Sequence, residues 1–520
     1  MTALTNIEIV IRIVLSLVAG SLIGMERGGK SQPAGIRTHS VVCVAACLIM
    51  MTNEFVSYKF GTGDPTRLGA QVVSGVGFLG AGTILIKENK KITGLTTAAG
   101  IWGAAGVNAL NVSMTATETI TSNERVLGAD PLVKYIPAKG KEGDADYTPE
   151  VVGGIGEEDI VTLVLPYIKS AREGVLRLGE ILEKYGTYEM NGIAFQDIDE
   201  IWWLETIGGH HWIAKRVKDD EYVVMPNQLG IDSFDLKDAF GKQKEHLCSS
   251  DLVEFIEKNH LNLNQDKHFN PRYAFGSHSD ADHVYNTPRA WIIGRYFNPT
   301  TYRWDGPKAD YRPDSDNIPW SFVPEQKITV EDVKYVLSHH YQGTPYDPYG
   351  KHGDSSLRGC FRPIGINRNN FLSCVQIRPY VPEEIRSIEW IAFGSNTFNA
   401  FVPFYVNIDE TPIYTANTEK TVSTDNFYWA NRIIGALADA HFSNTTSAID
   451  RYQNAVQTKG HQLINKYDSL FTKDVDPVTF CQTANQEIAD MAKQHTDDLL
   501  DKVLFTASMG MKNSFSRSDA

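Results

Sequence analysis

Residues 199–226 read DEIWWLETIGGHHWIAKRVKDDEYVVMP, and this stretch decides the fold of the larger part of the chain. It contains three short segments, 199–206, 211–217 and 221–226, that are rich in aromatic and β-branched residues and are separated by turn residues. Segments of this composition are typical of strands. The stretch therefore predicts an antiparallel meander with a hairpin turn at residues 218–220.

Helical patterns lie on both sides of this meander. Between Pro166 and Gly186, apolar residues recur on one helical face, and the two flanking residues are those preferred at helix boundaries. A second strand-rich region spans residues 372–415, and residues 425–505 are mostly helical in pattern. Strands and helices that are segregated in this way predict an α+β domain.

The beginning of the chain has a different character. Apolar stretches run over residues 7–25, 40–56 and 68–86, and each is close to the ~20 residues that cross a bilayer. The first and third loops carry the excess of Lys and Arg, so the positive-inside rule places the N-terminus outside and the chain after the third span in the cytoplasm. A fourth span over residues 95–112 would reverse this orientation, but Asn108 and Asn111 argue against it.

The net charge changes sign at the same place. Residues 1–98 sum to +4 and the remainder sums to −18, which gives −14 for the whole chain. Such a break predicts a transmembrane segment over 1–98 and a separate domain over 99–520. The acidic balance argues against a nucleic-acid partner, because non-specific binding to nucleic acid requires a basic surface.

No sequence pattern predicts a metal or a cofactor. The chain has no CxxC, and the histidine pairs at 210–211 and 339–340 lack the i, i+4 spacing that places two ligands on one helix face. The glycines of 75–80 form a GxGxxG inside an apolar run, where close helix packing is the better interpretation. The acidic loop 277–283, SHSDADH, is interpreted as solvated surface.

The membrane segment resembles a known family. The strings ERGGKSQPAGIRTHSVV, RLGAQVVSGVGFLGAGTILIKE and GLTTAAGIW are similar in order and spacing to the MgtC/SapB family of bacterial inner-membrane proteins. The resemblance covers about residues 5–105 and implies magnesium-stress or acid-tolerance functions. It also implies contact with lipid over 1–98 and an inner-membrane location, with the larger domain on the cytoplasmic side. The family's polar membrane residues fall on Glu26, Arg27 and Arg37, which act in function or set topology.

The larger domain resembles a second family. The strings GGHHWIAKRVKDDEYVVMPNQLGID, YNTPRAWIIGRYFNP, HHYQGTPYDPYG and EWIAFGSNTFNAFVPFYVN are similar to the dipeptidase A family, from the cysteine branch of the N-terminal-nucleophile hydrolases. The resemblance covers about residue 100 to the end of the sequence. It implies a four-layer αββα sandwich and hydrolysis of dipeptides. The sequence gives no indication of oligomeric state.

This resemblance implies active-site roles for three residues. Asn227 matches an asparagine that supports the oxyanion, and Arg289 matches an arginine near the nucleophile in related acylases. Glu118 falls near another active-site position, where its residue type differs from that of the relatives. The structural alternatives are a turn asparagine after Pro226 and an arginine that is ion-paired or at the surface.

The nucleophile is where this chain departs from the family. The family uses a cysteine at position one of the mature chain, with its own α-amine as the general base. Here the match begins within TTAAGIWGAAG, and the preceding Cys43 and Cys47 lie in a predicted span. We therefore expect the nucleophile and the first strands to be absent and hydrolysis to be lost or impaired. Recombination and an error of sequence assembly both account for such a junction. The alternatives are an MgtC/SapB-type stress protein with an inert tail, and a non-catalytic dipeptide-binding protein.

Overall fold

In a computed structural model of the chain, the structure describes Val14 and residues 112–116, 136–139, 147–151, 153–262, 268–416 and 418–511. The chain divides into two units, Met1–Gly94 and Leu95–Ala520, and all described residues except Val14 lie in the second unit. Apart from Val14, which falls in the first predicted span, the three predicted spans, the glycine motif and the predicted boundary at residue 98 lie outside the described residues. They stay predictions.

The described part of the second unit alternates strands with helices. Its strands are β1 (Val112–Ala116), β2 (Gly192–Asp197), β3 (Ile201–Gly208), β4 (His211–Val217), β5 (Tyr222–Val223), β6 (His246–Cys248), β7 (Ser321–Phe322), β8 (Phe371–Ile377), β9 (Ser387–Phe393) and β10 (Val402–Tyr405). Its α-helices are α1 (Glu157–Val164), α2 (Ala171–Tyr185), α3 (Leu236–Ala239), α4 (Leu252–Lys258), α5 (Pro271–Phe275), α6 (Asp282–Tyr285), α7 (Thr287–Phe297), α8 (Val330–Leu337), α9 (Phe427–Ala440), α10 (Phe442–Leu470) and α11 (Pro477–Met509).

The largest sheet has five antiparallel strands in the order β1-β2-β3-β4-β6. Helices α1 and α2 cover one of its faces, and Leu178, Trp202 and Trp212 are buried between the helices and the sheet. A Cβ added at Gly179 would lie 2.2 Å from the Trp212 ring. A glycine at this position therefore allows α2 to approach the sheet closely.

The predicted helix between Pro166 and Gly186 is confirmed at its end and wrong at its start. Gly186 follows the last helical residue, as expected. The helix begins at Ala171 because the Ser170 side chain accepts a hydrogen bond from the Glu173 amide at 3.2 Å, which caps the first turn. Pro166 instead lies in a separate 3₁₀ turn.

The predicted meander is correct for two of its three strands. Segments 199–206 and 211–217 correspond to β3 and β4, which pair with each other. The expected hairpin from β4 to the third segment is wrong, because β5 pairs with β7 instead. The other edge of β4 is already occupied by β6, so the chain has no free edge there to return to.

A second sheet contains three antiparallel strands in the order β10-β9-β8. Helices α9, α10 and α11 pack against it around a core that includes Trp390 and Tyr405. The predicted strand-rich region 372–415 and the helical region 425–505 are thus confirmed, as is the α+β class. None of the helices in the described part of the chain is long and apolar enough to cross a membrane.

Candidate functional site

The segment after β5 carries Asn227, and helix α7 carries Arg289. Asn227 is exposed, whereas Arg289 is half-buried. The Nη2 of Arg289 donates a hydrogen bond to the Oδ1 of Asn227 at 2.8 Å, although 62 residues separate the two. The structure therefore brings together two of the three predicted site residues. Glu118, the third, lies outside the described residues.

This hydrogen bond fixes the orientation of the Asn227 amide. A guanidinium only donates hydrogen bonds, so the oxygen of the amide must face Arg289. The Nδ2 group of Asn227 consequently points elsewhere with its two N–H donors. No acceptor for Nδ2 is found in the described ranges. An amide held in this way is suited to donate a hydrogen bond to an oxygen atom of a ligand.

Arg289 is itself held by the end of helix α6. Its Nε donates to the Tyr285 carbonyl, and its Nη2 also donates to the Asn286 Oδ1 at 2.6 Å. The Nδ2 of Asn286 in turn donates to the Asp282 Oδ1 at 2.5 Å. A chain of hydrogen bonds therefore links Asn227 through Arg289 and Asn286 to a carboxylate.

The interpretation of the loop 277–283 as solvated surface is wrong for Asp282. This carboxylate is buried and accepts hydrogen bonds from the hydroxyls of Ser277 and Ser279, from the Ser279 amide and from Asn286. Burial alone would raise the pKa of Asp282, but these hydrogen bonds hold the pKa below its usual value. Asp282 is therefore a buried anion at the base of the network.

Two buried residues, Glu205 and Arg272, fix the loop that carries Asn227. Glu205, in β3, accepts hydrogen bonds at its Oε1 from the amides of Gly230 and Ile231 at 2.7 and 3.1 Å. Arg272 donates to the Gly230 carbonyl from Nε at 3.1 Å and from Nη2 at 2.7 Å. Gly230 lies three residues after Asn227. Its N–H is thus bonded to the Glu205 carboxyl group, and its C=O is bonded to the Arg272 guanidinium.

Sequence reasoning missed Glu205 and Arg272. The one signal for Glu205 was an acidic residue within the apolar run IWWLETIGG of a predicted strand. Glu205 is fully buried, and this burial raises its pKa to about 7. The hydrogen bonds from Gly230 and Ile231 lower the pKa but do not offset the effect of burial. Its Oε2 has no hydrogen-bond partner within the described ranges.

A small pocket opens beside the Asn227–Arg289 pair. Its lining includes Pro226 and Gln228, which are the two neighbours of Asn227. It also includes Thr287 and Ala290 of α7, and Arg272. The pocket has room for about one water molecule, and neither Asn227 nor Arg289 is among its lining residues.

None of the cysteines in the described part of the chain is prepared to act as a thiolate. Burial raises the pKa of Cys248, Cys374 and Cys481 to about 12, and it also raises that of Cys360. A nucleophilic cysteine requires the opposite shift, toward a stable thiolate. The histidine pairs bind protein groups: for example, the His340 Nδ1 lies 2.9 Å from the Asp347 Oδ1. Within the ranges that the structure covers, no group of three His, Cys, Asp or Glu could hold a metal ion.

Comparison with known proteins identifies the larger domain. The sequence profile of peptidase family C69 matches residues 87–455. The chain belongs to peptidase family C69. A "Dipeptidase" of Bifidobacterium longum is 55% identical over 462 residues, with 81% of this chain and 86% of the relative covered. A "Probable dipeptidase A" of Streptococcus pyogenes is 52% identical (81% and 82% covered), and the "Dipeptidase A" of Lactobacillus helveticus is 42% identical (78% and 80% covered). The predicted membership in a dipeptidase family is confirmed.

The beginning of the chain matches a different family. The profile of the MgtC family matches residues 13–123, which confirms the predicted resemblance. The MgtC and C69 profiles overlap over residues 87–123. This overlap contains the string TTAAGIWGAAG, at which the sequence predicts the junction.

Proposed function

We propose that the C69 domain of this chain binds dipeptides beside Asn227 and Arg289. One observation carries the proposal: the 2.8 Å hydrogen bond from Arg289 fixes the Asn227 amide, and the N–H donors of that amide have no acceptor among the described residues. These donors are suited to the carbonyl oxygen of a peptide bond. The names of the relatives support a dipeptide as the ligand. We also propose that this domain forms an αββα sandwich and begins near residue 98. Glu118 is proposed to occupy an active-site position.

The proposed chemistry follows from the family's N-terminal cysteine. A thiolate attacks the carbonyl carbon of the peptide bond, and the free α-amine of the same cysteine takes the thiol proton. The carbonyl oxygen then becomes an oxyanion, and the Asn227 Nδ2 would donate a hydrogen bond to it. Removal of one such donor typically slows catalysis by ~10²–10³-fold. The α-ammonium then returns its proton to the leaving amine as the C–N bond breaks, and water hydrolyses the resulting thioester to release the acyl group from sulfur.

The six cysteines of this chain do not meet the requirement of that chemistry. Each is preceded by another residue, so each α-nitrogen is an amide and has no basic lone pair. The four described cysteines also have raised pKa values. We therefore expect the unprocessed chain to bind dipeptides without hydrolysing them.

Calorimetry and an amino-acid release assay test this expectation on the full-length chain in detergent. Binding heat should appear with members of a dipeptide panel, and no amino acid should be released. Asn227→Ala should weaken binding by up to about tenfold, the value of one hydrogen bond. Asn444→Ala, at an exposed site on α10, should leave binding unchanged. Release of amino acids that iodoacetamide blocks would disprove the missing nucleophile, and the absence of heat with every dipeptide would disprove the binding site.

The MgtC match supports a second function for residues 13–123. We propose that this segment inserts into a bacterial inner membrane and leaves the C69 domain on the cytoplasmic side. In this function the segment acts in magnesium stress, and the C69 domain is an inert tail. The basic first and third loops of the sequence support the orientation.

Complementation separates the two functions. A bacterial strain that lacks its MgtC-type protein should regain growth at low magnesium when it produces this chain. A chain without residues 1–105 is the negative control, and membrane fractionation verifies insertion. Growth that is not restored by a correctly inserted chain would rule out the stress function, whatever the result with dipeptides.

A further inference from the structure

Arg289, which contacts Asn227, and the nearby Arg362 have no acidic partner among the described residues. The arginine ion pairs within 4 Å in the described part of the chain include neither Arg289 nor Arg362. Among the described residues, Arg289 donates only to carbonyl and amide oxygens, namely those of Tyr285, Asn227 and Asn286. In the described part of the chain, no acidic side chain forms an ion pair with either of these two positive charges.

Both arginines are attached to the same short helix. Arg289 donates from its side chain to the carbonyl of Tyr285, and Arg362 donates from its backbone amide to the carbonyl of Val284 at 3.1 Å. Val284 and Tyr285 are consecutive residues of α6. The two arginines are thus close in space although they lie in different parts of the sequence.

Tyr341 fixes the segment that carries Arg362. Its side chain is fully buried, and its hydroxyl donates a hydrogen bond to the Arg362 carbonyl at 2.8 Å. The backbone of Tyr341 has φ of 67°, a conformation that is strained for a bulky side chain. Such strain persists only where surrounding contacts enforce it, and it concentrates at functional sites.

Donor groups of both arginines are available to a ligand. The Nη1 of Arg289 and the guanidinium of Arg362 have no acceptor in the described ranges, and both side chains are partly exposed. Burial, followed by the charge of Arg362, lowers the pKa of Arg289 to about 10. The guanidinium consequently stays positive at neutral pH, and its charge is only partly screened by water.

We propose that Arg289 and Arg362 form a subsite for the free α-carboxylate of a dipeptide. The inference rests on the proposed dipeptide binding beside Asn227. One residue of extended chain spans at most ~3.6 Å, so the carboxylate of a dipeptide lies one residue beyond the peptide carbonyl. Arg289 contacts Asn227 at 2.8 Å, which places a cation within that reach of the carbonyl site.

This subsite would give the chain a preference for dipeptides over longer peptides. A third residue converts the α-carboxylate into a neutral amide, so the two guanidinium groups lose the negative charge that they bind. Charged hydrogen bonds between arginine and carboxylate are roughly twice as strong as neutral ones. The specificity thus comes from a charge at a fixed distance from the peptide bond.

Binding of leucyl-leucine and of leucyl-leucinamide to the full-length chain in detergent tests the subsite. Calorimetry should show that the free acid binds at least tenfold more tightly than the amide. Arg362→Gln should weaken the free acid by about tenfold or more, since one charged hydrogen-bonding partner is lost, and should leave the amide unchanged. Arg312→Gln, at an exposed arginine, is the control and should preserve the preference.

The outcomes separate the subsite from the proposed function. Equal affinity of the wild-type chain for acid and amide would overturn the subsite and leave dipeptide binding intact. Equal weakening of both ligands by Arg362→Gln, in a variant with an unchanged melting temperature, would also overturn the role of Arg362. If neither ligand binds to the wild-type chain, the proposed function fails and the subsite fails with it.

Discussion

Arg272→Met should lower the free energy of unfolding of the C69 domain by about 3 to 5 kcal/mol. The Arg272 guanidinium is buried and donates to three backbone carbonyls: to Gly230 twice, to Asp316 at 3.1 Å and to Ile318 at 2.5 Å. Each buried carbonyl that loses its donor costs about 1 to 3 kcal/mol. The change also removes the positive charge that favours ionisation of the nearby Glu205.

Urea denaturation at pH 7, followed by circular dichroism, measures this loss. Methionine retains much of the side-chain volume, so the result reports the hydrogen bonds and the charge more than a cavity. Arg312→Met, at an exposed site, should change stability by no more than about 0.5 kcal/mol. A loss below 1 kcal/mol for Arg272→Met would contradict the importance of this contact for the loop that carries Asn227.

The fold class was predictable because it depends on local pattern. Segments 199–206 and 211–217 have the composition of strands, and they form β3 and β4. The pairing of the third segment was not predictable from such a pattern, since it depends on whether an edge of β4 is free. Strand β6, which comes later in the sequence, occupies that edge. The start of α2 was missed for a more local reason: the Ser170 cap outweighed the preference of Pro166 for a helix start.

The candidate site was predictable only in part. Resemblance to a family indicated Asn227 and Arg289, but no spacing in the sequence predicts contact between residues 62 positions apart. The burial of Asp282 was missed because acidic loop residues are usually solvated. Three-dimensional contacts from Ser277, Ser279 and Asn286 reverse that tendency here.

Buried acids were the least predictable feature. Glu205 and Glu389 each occupy a strand position where the pattern favours an apolar residue. A charged side chain at such a position is usually expected to point to solvent. Both are instead buried, and burial raises both pKa values to about 7. Their protonation therefore changes within the physiological pH range, which gives the fold a dependence on pH.

Glu389→Gln should make the free energy of unfolding less dependent on pH between 5 and 8. Glu389 lies in β9, the central strand of its sheet, and accepts a hydrogen bond from the Ser373 hydroxyl at 2.8 Å. Burial raises its pKa from an ordinary value of 4.5 to about 7. The hydrogen bond from Ser373 lowers the pKa, but by less than burial raises it. Among the described residues, no positively charged side chain lowers this pKa.

The direction of the effect follows from proton binding. Between pH 4.5 and pH 7 the folded chain holds a proton on Glu389 that the unfolded chain has released. The stabilisation is complete below pH 4.5 and is lost as the pH rises through 7. The loss amounts to about 3 kcal/mol at most, by linkage. Glutamine preserves the acceptor for Ser373 and cannot ionise, so the variant should gain stability relative to wild type as the pH rises.

Urea denaturation of both proteins at pH 5, 6, 7 and 8 measures the difference, and the shared pH dependence of other groups cancels in it. Glu487→Gln is the matched control. Hydrogen bonds from Lys466, and then from Tyr467, lower the pKa of Glu487, so its contribution is lost only below pH 4.5. Its curve should therefore run parallel to that of wild type from pH 5 to 8. A parallel curve for Glu389→Gln would show that Glu389 is already ionised at pH 5 in the folded chain, and that its strand position is more hydrated than the structure indicates.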